Sequence, residues 1–248
     1  MKPSRPTVTV IVCAYNEERY LGACLQSLQS QTLLPDQIIV VNNASSDGTG
    51  QVAAAVPGVH LLDEPRRGLV VAREAARHAA TGELLLWLDA DCRAPREWVD
   101  RLVRRFEADP RVVAVSGPCR FYDWHPFGRV VLWAYDHTVA PLTHLLVHHA
   151  LRRGAILYGG NFGVRRETLA AIGGFDTSIE FHGEDTNLAR RLRPHGRLVL
   201  AHNCYLRTSA RRYRAMGMWQ VFRLYVRNYW SQIIHARAKD TTHVDVRN

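Results

Sequence analysis

Short apolar runs alternate with amphipathic segments through the first half of the chain. The apolar runs predict buried strands at residues 7–13, 37–41, 58–62, 84–88 and 111–116. Between these runs, apolar residues at helical spacing predict helices that start near Glu17 and at about residues 50–56, 69–80 and 95–106. The alternation of strand and helix predicts an α/β fold in which neighbouring strands are parallel.

The pattern changes after residue 120. Residues 121–158 mix aromatic residues and histidines with leucine and valine. The apolar stretch at 130–150 contains charged residues and a proline, which favours a lid or a surface helix over a membrane span. His144 and His148 stand four residues apart like two metal ligands, but no third ligand has a suitable spacing. We therefore interpret them as packing or surface histidines.

The last third of the chain predicts a glycine-rich turn, two short elements and a final helix. Residues 159–163 predict a turn before a helix near Arg165, either as a plain connection or as a place where the backbone approaches a ligand. A short helix at 186–193 and a last strand at 197–201 follow. From 211 to about 235 the pattern predicts a basic amphipathic helix, which docks on the core or lies on an anionic bilayer.

Two acidic residues follow the most apolar of the predicted strands. Asp89 and Asp91 are two positions apart, so they share one face of an extended chain and can converge on one cation in the turn that follows. Ligands of open α/β sheets bind at the carboxyl ends of the strands. The same aspartates could instead cap the helix at 95–106, and the local sequence leaves both interpretations open.

A polar loop at residues 42–49, which includes Asp47, follows the second predicted strand. It is either an ordinary connection or a cradle for a nucleotide, so Asp47 is a candidate substrate-binding residue. The chain has neither the G-x-G-x-x-G fingerprint of a dinucleotide site after its first strand nor a P-loop. These two classes of nucleotide-binding protein are therefore not supported.

The net charge of +9 is unevenly distributed. Residues 186–239 contain no acidic residue and twelve basic ones. This asymmetry indicates an anionic partner, such as substrate phosphates, a membrane surface or nucleic acid, or else a solvated basic face. Five scattered cysteines argue against a disulfide framework or a zinc knuckle, so a cytoplasmic protein is expected. Residues 1–7 do not resemble a signal peptide, and no apolar run reaches membrane-spanning length.

Five motifs together resemble those of the family 2 glycosyltransferases. They are VIVCAYNEERYLGACLQSLQSQT, VVNNASSDGT, GELLLWLDADC, GGNFGVRRE and GEDTNLARRL, and the resemblance covers about residues 8–212. It implies the GT-A fold, a single α/β domain with a mostly parallel central sheet flanked by helices. The expected domain covers residues 1–210, with a nucleotide-binding half at about 1–118 and an acceptor half at about 119–210. Residues 211–248 then form the basic amphipathic C-terminal helix and tail.

The resemblance also implies which residues contact the donor nucleotide. Asn16 and Glu17, at the end of the first strand, correspond to donor contacts, and Arg73 corresponds to an arginine that contacts the nucleotide. Asn43 stands where many members have an aspartate that reads the base. An asparagine both accepts and donates hydrogen bonds, so uracil, guanine and thymine all stay open and the donor is a UDP-, GDP- or dTDP-sugar.

The resemblance places the metal and the sugar further along the chain. Asp89 is expected near the ribose and the sugar phosphate, and Asp91, together with Asp89, is expected to hold Mg²⁺ or Mn²⁺ across the diphosphate. Gly160 and Asn161 are expected to border the donor sugar and the acceptor.

The expected catalytic base and three further substrate-binding candidates come from the end of the matched region and just after it. Asp185 corresponds to the catalytic base of the inverting members, and Glu184 lies beside it in the acceptor site. Arg211 and Arg212 are candidate contacts to the diphosphate or to an acceptor phosphate.

The resemblance therefore implies an inverting, metal-dependent glycosyltransferase. The acceptor is expected to be a glycan or a lipid-linked molecule of bacterial envelope polysaccharide or glycolipid synthesis, and no nucleic acid is expected as a partner. The protein is expected in the cytoplasm, with a peripheral position on the inner face of the cytoplasmic membrane as an option. The alternative is a basic membrane- or nucleic-acid-binding protein whose GT-A domain is catalytically inactive.

Overall fold

A computed structural model of the chain describes residues 5–239 and residue 245. The strands are β1 (Val8–Ala14), β2 (Gln37–Asn43), β3 (Val59–Glu64), β4 (Leu84–Asp89), β5 (Val112–Ser116), β6 (Cys119–Phe121), β7 (Asn161–Arg165), β8 (Arg197–Leu200) and β9 (Leu206–Thr208). The helices are α1 (Glu18–Gln29), α2 (Thr49–Ala54), α3 (Leu69–Ala79), α4 (Trp98–Ala108), α5 (Pro126–His137), α6 (Val139–His144), α7 (Arg166–Ala171), α8 (Glu184–Leu192), α9 (Arg211–Met216) and α10 (Met218–His235). Parts of the expected amino-terminal start (1–4) and of the expected tail (240–244 and 246–248) lie outside the described residues.

The main sheet carries the fold. Within residues 5–239 it has seven strands in the order β3-β2-β1-β4-β7-β5-β8. The pairs β3–β2, β2–β1, β1–β4 and β5–β8 are parallel. Only β7, among the strands that the structure describes, runs antiparallel to both of its neighbours. The predicted α/β fold with a mostly parallel sheet is confirmed.

Helices cover both faces of this sheet, which explains why β4 is apolar along its whole length. Leu84, Leu86 and Leu88 pack with α1 and α4 on one face. Leu85 and Trp87 pack with α3 and α8 on the other. All five side chains are at most 2% exposed. The run of five apolar residues therefore reports burial on two sides, and it places the carboxyl end of β4 in the middle of the sheet edge.

The glycine-rich stretch at 159–163 is not simply a turn, and this prediction is wrong in part. Its second half is the start of β7, which lies between β4 and β5. The Phe162 ring stacks on Trp87 with 4.9 Å between centroids. Gly163 passes so close to Leu86 that an added Cβ would lie 2.5 Å from its side chain. Glycine is needed here for close packing of a strand, which a turn-forming composition conceals. The helix near Arg165 is confirmed, since α7 begins at Arg166.

Strand β8 is not the last strand, although the sequence predicted that it would be. Strand β9 follows it and pairs with β6 in a separate two-stranded parallel ribbon. The backbones of Arg93 and Arg207 form a further bridge, with hydrogen bonds of 2.7 and 3.1 Å. Strands of three residues are too short to show an alternating pattern. Through this ribbon the chain after β8 returns to the segment that follows β4.

Residues 126–150 form α5, α6 and one π-helical turn, Leu145–Ala150, on the surface. None of the helices formed by residues 5–239 is long and apolar enough to cross a membrane. His144 and His148 are buried and accept hydrogen bonds from the backbone N–H groups of Ile156 and Leu198. Burial lowers the pKa of both imidazoles to about 4. Both act as packing histidines, as expected from the sequence.

The predicted C-terminal helix is two helices. Gly217, with a φ of 83°, separates α9 from α10, a backbone conformation that glycine adopts without strain. Helix α10 buries Val221, Asn228, Gln232 and Ile233 and contacts α8. It therefore docks on the domain through one side, while Trp219 on another side is 69% exposed.

The position of β7 gives a stability prediction. Replacing Phe162 by alanine removes a fully buried ring that stacks on Trp87, and we expect the free energy of unfolding to fall by about 3–5 kcal/mol. Urea denaturation followed by circular dichroism measures it. The control is Leu34→Ala, because Leu34 is 56% exposed and should change stability by no more than about 0.5 kcal/mol. Equal effects of the two variants would contradict the packing described for β7.

Candidate active site

The two aspartates after β4 differ in exposure. Asp89 ends the strand with an exposed side chain, whereas Asp91 is 8% exposed. The hydrogen bond from Cys92 N to Asp89 O (2.9 Å) closes a turn that contains Asp91. Helix α4 begins only at Trp98, after Glu97, so neither aspartate caps it. The capping interpretation is wrong, and both carboxylates are available for another purpose.

Arg211 links the first strand, the central strand and the C-terminal segment. Its guanidinium binds Glu17 through two hydrogen bonds of 2.9 and 2.5 Å, and its Nε lies 3.1 Å from Asp91 Oδ2. Glu17 is 3% exposed, and the guanidinium also lies over the Tyr20 ring at 5.0 Å. Two sequence candidates for donor contacts, Glu17 and Arg211, are thus paired with each other.

Glu17, Asp89 and Asp91 form a first acidic group. Its three carboxylates have only one guanidinium, that of Arg211, as the cation named beside Asp91. Burial, with the charges of Asp89 and Glu17, raises the pKa of Asp91 to about 7, although Arg211 acts in the opposite direction. A pocket with hard oxygen donors and surplus negative charge fits a divalent cation such as Mg²⁺ or Mn²⁺. In the described part of the chain, no three His, Cys, Asp or Glu side chains are grouped to hold a metal by themselves. A metal here would need further ligands from water or substrate.

Sequence reasoning missed two residues that hold Asp91 in place. The Thr208 hydroxyl donates to Asp91 Oδ1 (3.1 Å), and the Tyr122 hydroxyl donates to the Asp91 carbonyl oxygen (3.3 Å). Thr208 ends β9, and Tyr122 directly follows β6. The two-stranded ribbon therefore forms one wall of the site. Local pattern could not reveal these contacts, because Thr208 and Tyr122 lie 117 and 31 positions from Asp91.

Asn16 and Asp47 connect the loops at the carboxyl ends of β1 and β2. Asn16 has a φ of 51°, and its Oδ1 accepts a hydrogen bond of 2.8 Å from Ser46 N. The carboxylate of Asp47 accepts hydrogen bonds from the backbone N–H groups of Glu18 (3.1 Å) and Thr49 (3.0 Å). Both side chains shape the predicted nucleotide cradle from within.

Asn43 is 4% exposed and is also occupied by backbone contacts. Its amide donates to the carbonyl oxygens of Glu64 (3.1 Å) and Arg66 (2.7 Å), and its oxygen accepts from Gly68 N (2.9 Å). It fixes the loop between β3 and α3. The structure therefore gives Asn43 a structural role at the edge of the predicted cradle.

Glu184 and Asp185 form a second acidic group at the start of α8. Arg73 is 2% exposed, and its guanidinium lies 3.2 Å from Glu184 Oε1 and donates to the Gly159 carbonyl oxygen (2.6 Å). Burial and the charge of Glu184 raise the pKa of Asp185, although a hydrogen bond from Thr186 N (2.6 Å) and the charge of Arg73 oppose this. Arg73 thus holds Glu184, which in turn makes Asp185 a stronger base.

Gly159 and Gly160 bring the two acidic groups together. A Cβ added to Gly159 would lie 3.2 Å from Glu184 Oε1 and 3.3 Å from Asp185 Oδ2. A Cβ added to Gly160 would overlap the Asp89 carboxylate. These two adjacent glycines, the glycine strip, therefore run between Asp89 and Asp185. Their missing side chains let the carboxylates of both groups lie directly against this backbone segment.

Asn161 lies next to this strip but faces the protein interior. It is 0% exposed, and Trp98 Nε1 donates to its Oδ1 at 3.0 Å. Its amide donates to the carbonyl oxygens of Gly117, Pro118 and Cys204. Its hydrogen-bonding capacity is used within the fold. The side chain braces β7 inside the protein, whereas the resemblance had placed it at the border of the donor sugar and the acceptor.

Arg212 lies near both acidic groups. Its Nη1 donates to the Tyr225 hydroxyl (3.0 Å), and its guanidinium lies 5.1 Å from the centre of the Phe181 ring. Burial acts to lower the pKa of Arg212, but the Tyr225 hydroxyl and the charges of Asp89 and Glu184 raise it. Arg212 therefore brings positive charge to the site from the start of the C-terminal helices.

Comparisons with known proteins agree on one family. The sequence model of Glycosyl transferase family 2 matches residues 9–173. Glycosyltransferase AglE of Haloferax volcanii is 26% identical over 82% of this chain and 67% of its own length. Glucosyl-dolichyl phosphate glucuronosyltransferase of the same organism is 25% identical over 71% of this chain and 58% of its own length.

A solved structure gives the same fold. Mannosyltransferase PcManGT from Pyrobaculum calidifontis, in complex with GDP-Man and Mn²⁺, matches with a TM-score of 0.69 and 26% identity, over 94% of this chain and 69% of its own. The expected GT-A fold is confirmed. The chain matches about 58–67% of the length of the two curated relatives.

The contacts of Arg211 generate a stability prediction. Arg211→Ala leaves Glu17 and Asp91 buried without their cation, so we expect the free energy of unfolding to fall by about 3–5 kcal/mol near neutral pH. The control is Arg214→Ala, since Arg214 is half-exposed and pairs with Asp123 near the surface. That variant should cost no more than about 1 kcal/mol. Denaturant titration measures both.

The pH dependence of this loss has a defined sign. Asp91 keeps its proton in the folded state up to about pH 7, whereas the ordinary pKa of an aspartate is 3.8. The contribution of Asp91 to the free energy of unfolding therefore falls as the pH rises through the window between these two values. Without Arg211 the carboxylate becomes more basic still. The gap between the variant and the parent should therefore shrink towards the acidic end of the window. A gap that grows on acidification would contradict the assigned ion pair.

Proposed function

The chain belongs to glycosyl transferase family 2, and from this we propose that it transfers a sugar from a nucleoside-diphosphate sugar to an acceptor hydroxyl with inversion of the anomeric carbon. One observation carries the proposal. Asp89 lies against Gly160 and Asp185 lies against the adjacent Gly159, which supports the use of both acids in one site. Leaving-group chemistry and proton abstraction need such separate acidic groups on opposite sides of the reacting carbon.

The donor end uses Asp89 and Asp91. Their carboxylates would hold Mg²⁺ or Mn²⁺, by analogy with the mannosyltransferase solved with GDP-Man and Mn²⁺. When bound, the metal neutralises charge on the diphosphate that leaves. Arg211 and Arg212 approach the same region from α9 and supply positive charge for phosphate oxygens. Asn16, Glu17, Asn43, Asp47 and Arg73 take part mainly by shaping the cradle and the acidic groups, as their contacts within the protein support.

The acceptor end uses Asp185 as the base. Its carboxylate accepts the proton of the acceptor hydroxyl while the oxygen forms a bond to the anomeric carbon. The bond from that carbon to the diphosphate oxygen breaks, and the nucleoside diphosphate leaves with its electron pair. The raised pKa of Asp185 favours proton uptake during this step. Glu184, held by Arg73, positions and tunes the base.

The donor is proposed to be a UDP-, GDP- or dTDP-sugar, because the contacts of Asn43 do not select one base. The acceptor is proposed to be a glycan or a lipid-linked molecule of envelope polysaccharide or glycolipid synthesis at the cytoplasmic face of a membrane. The name of the glucuronosyltransferase relative, which acts on a dolichyl phosphate sugar, supports a lipid-linked acceptor.

Two substitutions test the division of labour between the acidic groups. Asp91→Ala should abolish metal-dependent binding of the nucleoside diphosphate, because it removes a proposed metal ligand. Asp185→Asn should leave that binding within about twofold and lower turnover by about 10²–10⁴, the usual contribution of a general base. Isothermal titration with UDP, GDP and dTDP in Mn²⁺, with and without chelator, measures binding. Release of nucleoside diphosphate from the matching sugar donors measures turnover.

The results separate the competing functions. Undiminished turnover by Asp185→Asn would overturn the assignment of the base alone. If the parent protein bound and turned over none of the three classes of donor, the proposal would fail, and the inactive-domain alternative would gain support.

The pH dependence of the reaction gives a further prediction. Asp185 must be deprotonated to act, so kcat/KM should fall as the pH drops through a value above the ordinary aspartate range. Glu184→Gln removes the neighbouring negative charge, which should shift this acid limb to lower pH. The profile of kcat/KM against pH for the two proteins measures the shift. A limb that moves to higher pH, or stays in place, would contradict the role given to Glu184.

A further inference from the structure

Helices α5 and α6 and the following π-helical turn expose their apolar side. The large apolar side chains on this side, which together form the apolar ridge, are between 46% and 67% exposed. They are Phe127, Val130, Trp133, Leu142, Leu145 and Leu146. Their spacing of three residues through α5 puts them on one helical face. Clusters of this kind on a protein surface mark sites of interaction.

The buried side of α5 carries a polar residue. Asp136 is 7% exposed and accepts a hydrogen bond of 2.5 Å from the Tyr158 hydroxyl. The helix thus buries this carboxylate and half-buries Val131 and Leu132, while Phe127, Val130 and Trp133 stay exposed. The apolar side chains that the domain covers are therefore not those of the ridge.

The charges around the ridge are positive. Between residues 124 and 159 the sequence contains no acidic residue except the buried Asp136. Arg129, Arg152 and Arg153 are exposed in the same stretch. At the carboxyl end of the ridge lies a cleft whose lining includes three arginines, Arg111, Arg193 and Arg197. Asp109 pairs with two of these arginines, Arg111 and Arg197.

Helix α10 extends this surface. The rings of Tyr135 on α5 and Phe222 on α10 are in edge contact, with 5.9 Å between centroids. Next to Phe222, Trp219 is 69% exposed and Arg223 is exposed. The apolar ridge, tryptophan side chains and peripheral arginines therefore lie on neighbouring helices. Tryptophan and arginine around an apolar strip is the composition of a helix that lies in a membrane interface.

We propose that the apolar ridge of α5 and α6 docks this protein on the surface of an anionic lipid bilayer. The ridge would enter the boundary between headgroups and acyl chains, while Arg129, Arg152 and Arg153 meet lipid phosphates. A second copy of the chain is a poorer occupant. Two ridges paired symmetrically would bring these arginines together, and the ridge segment offers no exposed carboxylate to neutralise them.

The ridge and the candidate active site share a wall. Tyr158, held by Asp136 of α5, directly precedes the glycine strip beside Asp89 and Asp185. A bilayer on the ridge therefore lies against the helix that supports the acceptor side of the site. If the proposed transferase function holds, this arrangement suits an acceptor whose hydroxyl is presented at the membrane surface. The docking itself requires no turnover.

Vesicle co-sedimentation of the full chain tests the docking. The parent protein should bind vesicles of equal phosphatidylcholine and phosphatidylglycerol, bind phosphatidylcholine alone much more weakly, and lose affinity in high salt. The double variant Trp133→Ser, Leu142→Ser should bind at least about tenfold more weakly, because two exposed apolar side chains no longer insert. The matched control is Leu34→Ser, an exposed apolar residue outside the ridge, which should bind like the parent.

Two readouts distinguish loss of docking from misfolding and from failed chemistry. Circular dichroism and release of nucleoside diphosphate in the absence of vesicles should be the same for the double variant and the parent. A parent that ignores both kinds of vesicle, or a double variant that binds like Leu34→Ser, would overturn the proposal. Sedimentation analysis that shows a dimer of the parent and a monomer of the double variant, without vesicle binding, would also overturn it and would assign the ridge to self-association.

Discussion

The contact of one guanidinium with two buried carboxylates holds the candidate site together. Arg211 binds Glu17 at the end of β1 and Asp91 after β4, so three distant parts of the chain meet at one cation. The single positive charge of Arg211 does not balance the three negative charges of Glu17, Asp89 and Asp91. Burial also raises the pKa of Asp91. The pocket therefore keeps an affinity for further positive charge. The same imbalance that destabilises the isolated fold makes the place suitable for a divalent cation.

The glycine strip is the second constraint on the site. Strand β7 is inserted antiparallel between β4 and β5, and this brings the residues before it across the carboxyl end of β4. Stacking of Phe162 on Trp87 and the hydrogen bonds of Asn161 to three carbonyl oxygens fix that strand from both sides. Gly159 and Gly160 then lie against both acidic groups without side chains of their own. Packing behind the strip thus fixes the backbone against which Asp89 and Asp185 lie.

The two acidic groups are tuned by different neighbours, which fits different chemistry. Asp91 faces Arg211, whose charge favours the ionised carboxylate that a metal needs. Asp185 has Glu184 beside it, whose charge favours proton uptake. Arg73 limits this effect by pairing with Glu184. The proposed docking of the apolar ridge adds a third requirement to the same wall, since α5 exposes apolar residues while its inner side supports Tyr158.

Local pattern in the sequence determined the parts of the protein that depend on burial alone. Residues 84–88 had to be a central strand because five consecutive apolar residues need cover on both faces, and their position put Asp89 and Asp91 at the ligand-binding edge. The motif around Glu184 and Asp185 identified the second acidic group by resemblance. Tertiary structure alone decided which groups meet. The direction of β7, the inward turn of Asn161 and the contacts of Asp91 with Thr208 and Arg211 join residues far apart in the chain. Periodicity describes the environment of a residue along its own element, and it carries no information about the partner that the fold brings from elsewhere.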